Sequence, residues 1–435
     1  MKRLLRPVVV LFVSLAIVPV GVTTLVSTGT AIFAAENGAR DLSKATPESV
    51  GISPERLIRL DHGLRKFIDE SRLAGVTTLL ARHGRIVHTD SYGKKDIRRA
   101  DPIQRDSIFR IYSMTKPVTG VAMMMLYEEG KWRLDDPVSR YIPEFAKLQV
   151  YAGDNPDGSM RTEDARRSIT MRELMTHSAG LGYVLSQTHP VDRMIISQRV
   201  LDPSAPLQAM IEKLAKVPLL TQPGTRWSYS IAVDVQGYLV EKLSGKPFAE
   251  FLKARLFDPL GMKDTGFYVP QAKLGRVAMV HTDGPGGTLA PPTENPETFT
   301  VPPAGASGGG GLFSTSDDYL RFAQMLLNGG EFAGVRYLSP RTVEMMRTNH
   351  LQAEALKTMR PGTGWGLDFR VVMDAAAAGE PTSDGTFDWF GIAGTWFWID
   401  PKADLVFVGM IQSRGRANNE IQGVSRNLVY QSLMN

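Results

Sequence analysis

Residues 108–117 read Ile-Phe-Arg-Ile-Tyr-Ser-Met-Thr-Lys-Pro. The apolar run Ile108–Ile111 enters a helix at Ser113. Val118, Val121, Met124, Met125 and Leu126 then recur at helical spacing until Gly130 closes the helix. Ser113-Met-Thr-Lys116 is an S-x-x-K, and residues one turn apart share a face. A neutral lysine there could take the serine proton, and desolvation is the usual way to lower a lysine pKa. Context gives the pattern its weight, because Ser91-Tyr-Gly-Lys94 has the same spacing. That copy ends a strand, contains Gly93 and runs into Lys95, Arg98 and Arg99, so its lysine is solvated.

Upstream of this junction, Ser53-Pro54-Glu55 starts a helix carrying Leu57, Leu60, Leu64 and Phe67. Val76–Ala81 and Ile86–Ser91 read as strands joined by Arg82-His83-Gly84-Arg85. Downstream, Thr170-Met-Arg-Glu173 is a capping box. Residues 206–261 read as helical, broken at Pro218–Pro223 and Gly245–Pro247, and Ser316 and Ser339-Pro340 start two more helices. The period then changes. Trp365–Val371, Thr386–Phe390, Trp396–Ile399 and Leu405–Ile411 read as strands, and a helix from Ile421 to Leu433 closes the chain. Short turns imply antiparallel pairing. The expected fold is α+β, an α/β sandwich. One antiparallel sheet is built from the N- and C-terminal strands, the end helices flank it, and a mostly helical second lobe lies between. Asp283–Gly311 is a long loop rich in Pro and Gly.

Lys2, Arg3 and Arg6 precede an apolar stretch from Val8 to Val20 and then small residues to Ala34–Ala35. This is the layout of a secretory signal over residues 1–35, the rival reading being an uncleaved membrane anchor. Either places the domain expected over 45–433 outside the cytoplasmic membrane, periplasmic or secreted. The chain has 435 residues and a net charge of +5, of which those three residues supply a large share. No long Lys/Arg run occurs elsewhere, so no nucleic-acid partner is expected. With no cysteine, thiolate catalysis, disulfides and Cys-ligated metal are excluded.

Other catalytic patterns fare less well. Gly305-Ala-Ser-Gly-Gly309 matches G-x-S-x-G, but that elbow needs a buried strand before it and a helix after it. Pro302-Pro303 and a glycine run stand there instead. None of the seven histidines forms a metal-ligand spacing, and His177 reads as a structural residue at a helix end. No Walker A sequence or dinucleotide fingerprint is present. No cofactor and no metal is expected.

Ser113-Met-Thr-Lys116, His177-Ser-Ala-Gly-Leu181 and Tyr229-Ser-Ile231 together resemble the serine β-lactamase-related family, which includes class C β-lactamases, DD-peptidases and esterases. Gln222-Pro-Gly-Thr225, Asp258-Pro-Leu-Gly-Met262, Gly308-Gly-Gly-Gly-Leu-Phe-Ser314 and Gly394-Thr-Trp-Phe-Trp-Ile-Asp-Pro401 agree in order. The resemblance implies that Ser113 forms an acyl-enzyme, that Lys116 and Tyr229 handle its proton as a coupled unit, and that the N–H groups of Ser113 and Ile392 form the oxyanion hole.

Two departures bear on the substrate. Ile231 stands where lactam-processing relatives carry the asparagine of Y-x-N. Trp389-Phe390-Gly391 replaces their K-T-G, removing the lysine and threonine that hold a substrate carboxylate. Trp389, Phe390, Gly391 and Ile231 are therefore expected to form an apolar substrate pocket, poorly matched to an anionic substrate. The leading reading is a secreted serine hydrolase cleaving small carboxylic esters. The alternatives are a β-lactamase or D-Ala-D-Ala carboxypeptidase acting on an amide, and a non-catalytic binding protein on the same fold.

Overall fold

The computed structural model describes residues 40–434. The signal or anchor expected over residues 1–35 lies outside the described residues. Among the described residues no helix is long and apolar enough to cross a membrane.

The sheet has seven antiparallel strands: β1 (Gly75–Arg82), β2 (Arg85–Gly93), β3 (Thr363–Trp365), β4 (Arg370–Val372), β5 (Phe387–Phe390), β6 (Trp396–Asp400) and β7 (Leu405–Met410). Their spatial order is β3-β4-β5-β6-β7-β1-β2. β1 and β7, which lie far apart in sequence, thus pair in the interior of the sheet, with Thr77 opposite Met410 and Arg82 opposite Leu405. The β1–β2 turn uses His83 and Gly84 at φ 52° and 73°, both left-handed, as a tight hairpin with right-handed strand twist requires.

Every residue of β1 and β7 is buried, because helices cover both faces. Alternation divides their side chains between two cores. Leu79, Phe397, Ile399, Val406 and Val408 face the larger one. Leu80, Trp396, Trp398, Leu405 and Phe407 face the smaller. The smaller core is closed by α1 (Pro54–Asp69), whose Leu57, Leu60, Leu64 and Phe67 pack inward, and by the C-terminal helix with Ile421 and Val429. The Ser53 side chain caps α1 by accepting from the Arg56 N–H.

The larger core holds α2 (Thr115–Glu128), buried continuously from Thr115 to Leu126. Against it packs α3 (Ala232–Ser244), while α4 (Ser316–Leu327) lies in the same core on β7, β1 and β6. The capping box at Thr170 forms as expected and starts a short helix, Met171–Met175.

Two expectations are corrected. Trp365–Val371 is not one strand. It splits into β3 and β4 around a turn in which Asp368 has φ 65°. A Cβ on Gly366 would lie 2.0 Å from the Met346 carbonyl, so that position has no room for a side chain. The last helix, α5, spans Ala417–Tyr430 and so begins before Ile421.

Candidate active site

Ser113 lies where the chain passes from the two-residue strand Phe109–Arg110 into α2. That strand pairs with Phe313–Ser314. The helix does not begin at the serine itself. Tyr112–Met114 form one 3-10 turn, and α2 starts at Thr115. Tyr112 has φ 43°, a strained value for a bulky residue. It is held there by packing against Val280 and Ala393.

Lys116 follows one turn later and is fully buried. Its ammonium donates to the Gly309 carbonyl at 2.7 Å and lies 3.5 Å from both Ser113 Oγ and Tyr183 Oη. It also sits 4.5 Å from the centre of the Tyr229 ring, a cation–π distance. Burial is the largest single influence on this lysine and presses its pKa down. Tyr183, Tyr229 and Asp234 together outweigh burial, and the net direction is up. The neutral lysine that desolvation alone would produce is therefore not what these surroundings favour. The groups that reverse it come from residues distant in sequence.

Tyr229 lies on the chain just ahead of α3 and is half-buried in an aromatic cluster. His177, Tyr183, Trp227 and Trp389 lie with ring centres 4.8–6.3 Å from it. The Trp389 indole N–H donates to Tyr229 Oη at 3.2 Å. The tryptophan that stands in the K-T-G lysine position thus supplies a neutral donor to the tyrosine. Trp389 and Phe390 also line a groove of about 540 Å³ with Trp227, Met359 and Trp365. Trp389 is 8% exposed and Phe390 41%, so Phe390 carries most of the open aromatic surface.

Gly391 confirms a close backbone approach. A Cβ there would lie 2.4 Å from the Ile111 carbonyl and 2.4 Å from Thr395 Oγ1. The end of β5 is thereby pressed onto the turn that carries Ser113. Ala393, two residues on, packs against Tyr112. Ile392 lies between these contacts, with its side chain 47% exposed. Asn418 of α5 donates to its carbonyl at 3.3 Å. Two backbone N–H groups, those of Ser113 and Ile392, are thus carried on segments in direct contact.

Ile231 is a correction. Its side chain is fully buried in the larger core and presents no surface to a substrate. It caps the start of α3, its N–H donating to the Gly182 carbonyl at 3.0 Å. The helix phase there turns the residue inward.

The rival nucleophiles are committed elsewhere. Ser91 donates to Thr77 Oγ1 within the sheet at 3.3 Å. Ser307 donates to the carboxylate of Asp234 at 2.5 Å, and no strand precedes or helix follows its glycine turn. His177 is fully buried and accepts the Ser230 N–H at Nδ1, at 3.2 Å. Burial, then Lys116, pushes its pKa well down, so it is a neutral structural histidine. No group of three or more metal-ligating side chains occurs among the described residues.

Sequence reasoning missed Tyr183, Asp234 and Trp365. Tyr183 sits just beyond the His177–Leu181 motif and Asp234 on the helix that follows Tyr229, so proximity to those motifs was the available signal.

Comparison with known proteins fits this arrangement. The Beta-lactamase family model matches residues 60–429, and the chain belongs to that family of serine hydrolases, with the β-lactamase/transpeptidase-like fold. Protein Rv1367c of Mycobacterium tuberculosis is 39% identical over 80% of this chain and 88% of its own length. Esterase EstB of Burkholderia gladioli is 32% identical over the same shares. Among solved structures, EstCE1, a hydrolase with promiscuous acyltransferase activity, has a TM-score of 0.74 at 29% identity, covering 86% of this chain and 99% of its own.

Proposed function

We propose that this protein is an exported esterase that cleaves neutral carboxylic esters through an acyl-enzyme on Ser113. The observation that carries the reading is the cluster of Ser113, Lys116 and Tyr229, with Trp389 donating to Tyr229 where a lactam-processing relative has a lysine. Esterase EstB and the hydrolase EstCE1 among the similar proteins support it.

Ser113 Oγ attacks the ester carbonyl as its proton passes to the Oη of Tyr229, which enters the step as the phenolate stabilised by the Lys116 ammonium ion and leaves it as the phenol. The N–H groups of Ser113 and Ile392 stabilise the oxyanion, and such a donor is worth ~10²–10³ in rate. When the intermediate collapses, the bond to the alcohol oxygen breaks and Tyr229 returns the proton to that oxygen. Water then attacks the acyl-enzyme by the same proton path, releasing the acid and free Ser113. Lys116 stays an ammonium ion throughout, its charge beside both oxygens.

Trp389 and Phe390 disfavour the β-lactamase and peptidase readings, because they offer a substrate carboxylate no cation. The intact cluster disfavours a non-catalytic binding protein. Export rests on residues 1–35 and is tested by N-terminal sequencing of the protein recovered outside the cytoplasm. For substrate, kcat/KM for p-nitrophenyl butyrate should exceed that for nitrocefin by orders of magnitude. Preference for nitrocefin would replace the esterase reading with a β-lactamase.

A further inference from the structure

Asp234 is fully buried in the first turn of α3, among Ala232, Val233, Val235 and Gly237. A carboxylate in such a place needs a partner. Its Oδ1 accepts from the Ser307 hydroxyl at 2.5 Å and from the Gly309 N–H at 3.0 Å, while Oδ2 has no hydrogen-bond partner. Gly309 in turn offers its carbonyl to Lys116 at 2.7 Å. One glycine thus stands between the carboxylate and the ammonium, its N–H toward one and its C=O toward the other. It has no room to be another residue, since a Cβ on Gly309 would lie 2.3 Å from Asp234 Oδ2. A Cβ on Gly308 would lie 2.4 Å from the Val233 carbonyl. Ser307–Gly309 therefore lie flat against the start of α3, and this close packing accounts for Gly308, Gly309 and the serine.

We propose that Asp234 is a positioning residue of the reaction: acting across Gly309, it is the counter-charge that holds Lys116 as the ammonium ion, leaving Tyr229 to take the Ser113 proton. This rests on the esterase reading above and assigns the Ser307 hydroxyl and the Gly309 N–H to stabilising that counter-charge.

The groups facing Lys116 are Ser113, Tyr183, Tyr229, His177, Asp234 and Asp368. His177 is neutral. Among the described residues Asp368 accepts only the Gln236 side-chain amide, at 3.1 Å, and burial pushes its pKa well up, so it favours the neutral acid. Burial also raises the pKa of Asp234, but Lys116, Ser307 and Gly309 all oppose that rise. Asp234 is the carboxylate of this set with donors built around its charge.

The test is the pH profile of kcat/KM for p-nitrophenyl butyrate with Asp234→Asn, its fold checked by circular dichroism. Removing the negative charge makes Lys116 easier to deprotonate, so the alkaline limb should move to lower pH by about one unit or more. Ser307→Ala removes one donor to Asp234 and should retain most activity, with a smaller move of the same sign. That variant decides the matter if Asp234→Asn does not fold. An unmoved alkaline limb, or a rate that rises near neutral pH as expected if neutral Lys116 were the base, would overturn the proposal. The esterase reading is judged separately on wild-type protein. Turnover and fluorophosphonate labelling of wild type beside an unmoved limb sink the role of Asp234 alone. Absence of both in wild type sinks the two together.

Discussion

Ser113 Oγ lies 3.5 Å from the Lys116 ammonium, which itself sits against the Tyr229 ring, whereas Ser91 and Ser307 donate to Thr77 and Asp234. Ser113→Ala should abolish ester hydrolysis and fluorophosphonate labelling, while Ser91→Ala and Ser307→Ala keep most of both. Labelling retained by Ser113→Ala would show that the nucleophile lies elsewhere. Lys116→Ala and Tyr229→Phe should each lower turnover by at least ~10², the size expected of a positioned proton-handling group. Combined, they should cost little more than the worse single change, because such a unit is not additive. Multiplicative losses would mean two separate jobs. Trp389→Phe keeps an aromatic ring but removes the donor to Tyr229 Oη. It should lower kcat by up to ~10-fold, the worth of one neutral hydrogen bond, with KM changed less. At this scale the serine and lysine were legible because a single turn of helix relates them. The charge state of Lys116 was not, since Tyr183, Tyr229 and Asp234 arrive from other segments. The burial of Ile231 was not legible either, because it depends on the phase in which α3 begins.

Between elements, two contacts position the site. The first is the approach of β5, at Gly391, to the turn that carries Ser113. Gly391→Ala places a methyl 2.4 Å from the Ile111 carbonyl. Relieving it must move one backbone against the other. A loss of about 1–3 kcal/mol in stability is expected, with a larger fall in kcat than the melting temperature alone would suggest. The second joins β4, β5 and α5. Arg370 pairs with Glu380 and Asp388, and Arg426 pairs with the same two carboxylates. Burial opposes the charge on Asp388, but Arg370 and then Arg426 outweigh it and hold this carboxyl below its usual range. Its contribution is therefore present above the unfolded carboxylate pKa of about 3.9 and lost as pH falls below it. Arg426→Ala breaks a buried pair and should cost ~3 kcal/mol or more. It should also shift acid unfolding, followed by tryptophan fluorescence, toward neutral pH. An unchanged acid midpoint would mean that the cluster contributes nothing net. Caps and hairpins of this framework were readable because Ser53, Thr170 and His83-Gly84 act on near neighbours. The β3–β4 turn was not, because Gly366 is dictated by the distant Met346 carbonyl.

Across the whole molecule, the class of fold followed from a change of hydrophobic period, with strands at both ends and helices between. One sheet from the N- and C-terminal strands was the expectation, but their joining through β1 and β7 was not legible, because a pairing between distant segments leaves no local pattern. That pairing has a consequence for how the chain is made. The interior strand β1 emerges from the ribosome early, yet its partner β7 lies more than three hundred residues later and is among the last segments synthesised. Until then the nascent chain holds an unsatisfied sheet edge. Segments near the two described ends also meet, the Ser53 N–H donating to the Ser432 carbonyl at 2.9 Å. A circular permutant that opens the chain between Gly286 and Gly287 and links residue 434 to residue 40 would encode β3-β4-β5-β6-β7-β1-β2 consecutively, the order in which they lie side by side. Every sheet neighbour would then be local in synthesis, and refolding should be faster than in the natural order, as lower contact order requires.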